Sequence, residues 1–222
     1  MPKRRPKAPA TRAPTPTRGG SIVPPRGPPA DIHARKLEVR TVEPSTLVRI
    51  GWNDAGHPLL NFRATGDNRF DAPDASFETL YVADSLEVCF GETLLRGDIK
   101  GQPLVSGRTF VPEAELHGRS VIRLAGAPLR LAVLTGAALK RLGGEAGVSS
   151  VVPYAVPQQW SKAIHEHPEG VDGLVYMSRH VNDREAVVLF GRARARLSAA
   201  VESELLSHPD IGRVFDLFEV AI

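Results

Sequence analysis

A single cysteine, Cys89, stands among 222 residues, so no disulfide can close within the chain, and its apolar surroundings suit a small buried side chain. No stretch of about 18 apolar residues exists to cross a bilayer. The opening Met-Pro-Lys-Arg-Arg lacks the apolar segment of a secretory signal, and a cytoplasmic protein is expected. Nucleotide and metal signatures are missing as well: there is no G-x-G-x-x-G, Walker A, H-E-x-x-H or paired C-x-x-C. His165 and His167 are two apart and point to different sides of a helix, with no acid or cysteine cluster beside them. They read as a surface pair, and no metal is expected.

Acidic residues are absent from positions 1–30, which hold seven basic side chains (Lys3, Arg4, Arg5, Lys7, Arg12, Arg18 and Arg26) and nine prolines. Such a composition buries too little apolar surface to offset chain entropy, so residues 1–30 are expected to form a disordered basic arm ahead of one domain, 31–222. The arm accounts for the whole charge excess. Of 28 basic and 25 acidic residues, 21 basic and all 25 acidic ones lie beyond it, and the domain is net −4 while the chain is net +3. A polyanion-binding fold would carry a basic face of its own, so direct nucleic-acid binding by the domain is not expected; binding through the arm is the weaker alternative.

With 42% apolar residues the remainder can build a sizeable core. From about residue 45, short runs rich in Val, Leu, Ile and aromatics alternate with Gly, Pro and Asp. Strands are expected at Leu47–Ile50, Leu80–Ala83, Thr109–Val111, Val121–Leu124, Leu129–Leu134, Gly173–Met177 and Ala186–Phe190. Leu86, Cys89, Phe90 and Leu94 recur at helical spacing. They predict a helix over roughly 85–96, with Asp84 and Glu87 as a capping pattern and Gly97 as its stop. Further helices are expected at about 157–167, with Pro157 in the first turn, and at about 195–207, ending before Pro209. Strands and helices do not alternate strictly, so the class is α+β rather than a doubly wound parallel sheet.

Four segments carry polar residues that the apolar pattern leaves unexplained. Arg49 interrupts the strand Leu47–Ile50; Gly66–Asp71 is a turn-rich loop with Arg69 beside Phe70; Glu92 lies off the buried stripe of its helix; and Gly173–Met177 runs into Ser178, Arg179 and His180. Each alone fits a solvent-facing residue. Taken in order, however, Arg49, Arg69–Phe70, Leu80–Tyr81–Val82–Ala83, Glu92, Tyr154 to Trp160 and Asp172 to His180 make this sequence resemble the RES domain, a family named for its Arg, Glu and Ser. The specific parts are the L-Y-x-A strand with a glutamate eleven residues after its tyrosine, and the later D-G-x-x-Y-x-S-R-H strand.

The resemblance implies an ADP-ribosyltransferase-like fold, a mixed, split β-sheet core with a few packed helices. It implies a toxin of a bacterial toxin–antitoxin pair that cleaves the nicotinamide–ribosyl bond of NAD, or an ADP-ribosyltransferase acting on another acceptor. It implies a cognate antitoxin too, a helix-turn-helix (Xre-like) protein that occludes the active site. Carried over by residue, Arg49 and Arg69 hold the phosphates and ribose of NAD, Tyr81 stacks on the nicotinamide, Glu92 is the catalytic carboxylate, and Ser178 fixes the ribose or carboxamide. Where the family commonly has Gly before the second arginine, this chain has Asn68, one of the few residues that tolerate left-handed backbone.

The residue types suit that chemistry. Nicotinamide leaves as a neutral ring, so no acid is needed to protonate it, and one carboxylate suffices to stabilise positive charge on the sugar. Guanidiniums match pyrophosphate oxygens with paired, charge-assisted hydrogen bonds. An aromatic ring against the pyridinium adds cation–π attraction. A module that only binds an antitoxin is the non-enzymatic alternative.

Overall fold

The computed structural model describes residues 25–95, 102–103 and 109–222. Its strands, in chain order, are β1 (Val39–Val42), β2 (Val48–Trp52), β3 (Thr79–Val82), β4 (Gln102–Pro103), β5 (Thr109–Phe110), β6 (Arg119–Gly126), β7 (Leu129–Leu134), β8 (Gly173–Met177), β9 (Glu185–Phe190), β10 (Leu197–Glu204) and β11 (Val220–Ala221). The helices are α1 (Leu86–Leu94), α2 (Glu113–Leu116), α3 (Gly136–Arg141), α4 (Ala155–His165) and α5 (Ile211–Leu217). A strand lies at each of the seven expected places, and Pro157 falls in the first turn of α4.

Three sheets form. The largest has the order β1-β7-β8-β9-β3; the second is β10-β6-β2, and the third is β11-β5-β4. Among the described residues only β7/β8 and β11/β5 are parallel pairs. A parallel pair needs a crossover, and residues 135–172 supply one carrying α3 and α4. Phe70, Phe90, Trp160, Tyr176 and Phe190 anchor the larger core cluster, while Leu47, Phe62, Leu80, Leu124 and Leu131 fill a smaller one.

Among the described residues the first two sheets meet at a single bridge. Val48 at the start of β2 and Ala83 just after β3 exchange both main-chain hydrogen bonds, at 2.8 and 2.9 Å, and beyond this pair the strands part. Helix α1 follows β3 directly and lies against β2, where the Cys89 thiol donates to the Val48 carbonyl at 3.2 Å. Burial raises this thiol to about 12, so it stays protonated.

Four expectations change. The segment 195–207 reads as a helix because Leu197, Val201 and Leu205 recur every four residues among helix formers. Residues 197–204 instead pair antiparallel with β6, with a register shift between Val201 and Ser203, and the flanking residues are 3-10 turns that end at Arg196 and span Leu205–Ser207. Tertiary pairing outweighs propensity here. Helix α1 is capped by Ser85, whose hydroxyl accepts from Val88 N–H, and not by an Asp84–Glu87 box; Glu87 is buried and paired with Arg213 of α5. Gly97 lies outside the described residues.

The boundary expected at residue 30 also changes. Residues 25–30 pack on the domain, since the Arg26 carbonyl accepts the buried Trp160 indole N–H at 2.9 Å and Gly27 lies against Gln159. The two histidines, finally, are not a surface pair. His167 is buried, its Nδ1 accepting from Glu169 N–H and its Nε2 donating to the Arg35 carbonyl at 3.0 Å. His165 is half-buried and stacks on Phe77 with centroids 4.0 Å apart, edge-on to Phe190.

Burial, helped by the charge of Arg192, lowers His165 to about 4. The unfolded residue titrates near 6.5 and the folded one near 4, so below about 6.5 the unfolded chain takes up a proton that the folded chain refuses. Stability is therefore lost as pH falls through this window. Denaturant midpoints measured between pH 7 and 4.5 should fall more steeply for the wild type than for His165→Phe, which keeps the stacking; parallel profiles would refute the assignment.

Candidate active site

Where β2 and β3 diverge they leave a cleft of about 300 Å³, at the small end of the range for ligand pockets. Arg49, Gly51 and Trp52 of β2, Tyr81 of β3, Glu92 of α1, Arg69 and Tyr154 all line it. Four of the five residues expected from the sequence, Arg49, Arg69, Tyr81 and Glu92, thus share one cavity although they span 44 positions of chain.

Arg49 lies flat along β2. A Cβ on Gly51 would sit 3.1 Å from its guanidinium carbon, so glycine there makes the room. Its Nη1 donates to the Leu59 carbonyl at 2.7 Å, and burial, reinforced by nearby Arg119, draws its pKa down to about 10, leaving it charged at neutral pH. Arg69 is buried at 7% exposure, donates to the Val151 carbonyl at 3.0 Å and covers the Tyr154 ring at 4.6 Å. Burial lowers its pKa too, against the opposing influence of Tyr154 and Glu92. Both cations therefore rest on neutral carbonyls within the protein.

The loop bearing Arg69 is clamped from α4: Gln158 Nε2 donates to the carbonyls of Gly66 (2.7 Å) and Asn68 (3.0 Å), and Ser161 Oγ to that of Phe70 (2.6 Å). The left-handed residue of this loop is Gly66, with φ of 75°. Asn68 is not left-handed; its side-chain amide and its N–H both donate to Asp71 Oδ2 at 3.0 Å. Asparagine is thus used here for its amide and not for its backbone tolerance.

Glu92 is held through one oxygen. Ser178 Oγ donates to Oε1 at 2.6 Å and Arg179 N–H at 3.1 Å, and among the described residues only Oε1 is engaged. Ser178 is 1% exposed and accepts from the N–H groups of His180 and Val181 in a tight turn. It stands behind the carboxylate, is not among the residues lining the cleft, and holds Glu92. Gly91 makes that approach possible, because a Cβ there would come within 3.2 Å of His180 and Val181.

Tyr81 lines the cleft, and its hydroxyl is taken up by the protein, accepting from Phe70 N–H at 2.8 Å and donating to Asp71 at 3.1 Å. Several lining residues escaped the sequence reading. Arg119, on β6 beside Trp52, covers that indole at 4.0 Å and pairs with Glu115; Arg63, Asn61 and His57 complete the rim. No local pattern marks Arg119, but isolated glycines in a strand and in a helix, Gly51 and Gly91, do signal close approach. Four arginines, Arg49, Arg63, Arg69 and Arg119, line the cleft with one carboxylate residue, Glu92, and the cleft suits an anion carrying a local positive centre. Among the described residues no group of three His, Cys, Asp or Glu is placed to hold a metal, and no helix is long and apolar enough to cross a membrane.

Split sheets, a cationic cleft and one tethered carboxylate define a mixed α+β domain with a single candidate site. In the solved structures this fold is found in the M. tuberculosis MbcT–MbcA toxin–antitoxin complex, with a TM-score of 0.51 over 75% of this chain and 88% of that one; at 16% identity the likeness is one of fold. A sequence profile described as the RES domain matches residues 25–211, and the chain belongs to the RES domain family. It is also 30% identical, over 96 residues, to "Probable toxin y4kH" of Sinorhizobium fredii (strain NBRC 101917 / NGR234), across 43% of this chain and 75% of that protein.

Ser178→Ala removes the donor to Glu92 and an acceptor for two main-chain N–H groups. It should lower unfolding free energy by about 1–3 kcal/mol in denaturant melts. Unchanged stability would mean that these bonds are not formed in solution.

Proposed function

We propose that the chain is the toxin component of a bacterial toxin–antitoxin system and that it cleaves the nicotinamide–ribosyl bond of NAD. The observation that carries this reading is the convergence of Arg49, Arg69, Tyr81 and Glu92 on one cleft. NAD offers each a counterpart: two phosphate charges for the guanidiniums, a cationic ring for the tyrosine, and a sugar that becomes positive as the bond breaks.

Desolvated cations whose hydrogen bonds go to neutral carbonyls gain more from a pyrophosphate than solvated ones would, because little water screens them. Tyr81 lies between Thr79, whose N–H and C=O bond to Arg63, and Ala83, whose groups bond to Val48. By the alternation of a strand, the Tyr81 main chain directs its own donor and acceptor toward the same gap, a pair that matches a carboxamide. With the ring stacked and the amide held, nicotinamide departs neutral and needs no acid. Glu92, its Oε1 tied by Ser178 and Arg179, presents Oε2 to the developing charge on the ribose and to the incoming hydroxyl.

The partner is proposed to be an antitoxin that covers this cleft, a helix-turn-helix protein of the Xre-like kind. The MbcT–MbcA likeness supports a partner of that general role.

Purified Glu92→Gln should keep its melting temperature and lose NAD consumption by at least about a hundredfold, the scale of removing one transition-state charge contact. Full activity would remove Glu92 from the chemistry. Mass spectrometry of the products, with and without cell extract, separates free ADP-ribose or its phosphate from a modified acceptor.

Arg49→Lys keeps the charge but not the planar fork. The expected result is a KM for NAD raised about tenfold with kcat less affected. An unchanged KM would place the phosphates elsewhere.

A further inference from the structure

Asp71 is 1% exposed and collects five donors. Oδ2 accepts from Thr65 Oγ1 at 2.8 Å and from the main-chain and side-chain nitrogens of Asn68, both at 3.0 Å. Oδ1 accepts from Thr79 Oγ1 at 2.6 Å and from Tyr81 Oη at 3.1 Å. Burial pushes this carboxyl up, but the bonds from Thr79, Asn68 and Thr65 outweigh it, and it lies below the ordinary range. Asp71 is therefore an anion at neutral pH, stabilised by dipoles rather than by an ion pair among the described residues.

Each of its oxygens serves a different wall of the cleft. Oδ2 secures Asn68 and so the loop that carries Arg69; Oδ1 secures β3 through Thr79 and Tyr81. Tyr81 spends both functions of its hydroxyl within the protein, donating to Asp71 and accepting from Phe70 N–H, and this double tether fixes the plane of the ring. A phenol donating to a carboxylate also gains electron density. Its ring face becomes more negative and attracts a cation more strongly than a phenol bonded to water would.

We propose that Asp71 is a positioning residue of the cleft: through its hydrogen bond to Tyr81 it sets the attitude of the ring and strengthens the hold of the ring on a cationic, planar ligand group. The inference rests on the reading of NAD as substrate, whose pyridinium is such a group. It assigns to this chain a link between Asp71 and Tyr81 that Thr79, bonded to the same oxygen, cannot replace, since threonine offers no ring.

The test is a cycle on the full-length chain with Asp71→Asn, Tyr81→Phe and the double variant, comparing kcat and KM for NAD alongside melting temperature. Asp71→Asn should lower kcat/KM about tenfold, and the same change in the Tyr81→Phe background less than about twofold. Equal losses in both backgrounds would show that Asp71 acts only through Asn68 and Thr79 and would overturn the proposal. A second readout needs no catalysis. With tyrosine labelled with carbon-13 at Cζ, the Tyr81 resonance, identified by its loss in Tyr81→Phe, should move in Asp71→Asn by more than those of Tyr154 and Tyr176; an unmoved line overturns the link. If the wild type leaves NAD intact, the substrate reading fails while this resonance still decides the coupling. If Asp71→Asn does not fold, Tyr81→Phe alone decides: it keeps the ring and should lose about tenfold in kcat/KM, and wild-type kinetics would overturn the proposal.

Discussion

Everything in the cleft depends on the bridge between Val48 and Ala83. Two sheets approach each other there, exchange one pair of main-chain bonds and separate. Had β2 and β3 continued to pair, their edges would be satisfied and no cavity would exist; had they not met, Arg49 and Tyr81 would belong to unrelated surfaces. The divergence exposes edge groups that a ligand can bond, and α1, tied to β2 through the Cys89 thiol, closes one side with Glu92.

The electrostatics follow from that geometry. Beyond residue 30 the domain is net negative, yet its cleft gathers four arginines. Two of them, Arg49 and Arg69, are drawn into low-dielectric surroundings with neutral carbonyls as partners, and their pKa values fall accordingly. Desolvated cations of this kind are costly in the empty protein, and an anionic ligand offsets the cost. The two carboxylates that matter are treated differently from the cations. Glu92 is restrained at one oxygen, the only one engaged among the described residues, whereas Asp71 is saturated and serves the framework.

The legible part of the fold was the strands. In a protein of many short, half- or fully buried strands, β-branched runs between turn residues identify seven of them, and the apolar stripe of α1 is equally plain. The segment 195–207 defeated the same reasoning because its Leu and Val recur at a spacing that a helix and a bulged edge strand can both satisfy, and pairing with β6 decides between them. Within the site, Arg49, Arg69, Tyr81 and Glu92 could be named only as an ordered set, since each alone fits an ordinary surface or strand residue.

By itself, the sequence determined the α+β class, the separation of a basic, proline-rich start from an acidic domain, and the residue types a cationic, single-carboxylate site requires. These are properties of composition and short-range pattern. Only the tertiary structure decided that Ser178 stands behind Glu92, that Asn68 serves Asp71 with its amide, that Arg119 joins the cleft, and that Asp71 couples two walls. Each of these rests on contacts between segments far apart in the chain or on the direction of one side chain. Local sequence carries no energy term for either until the sheets have packed.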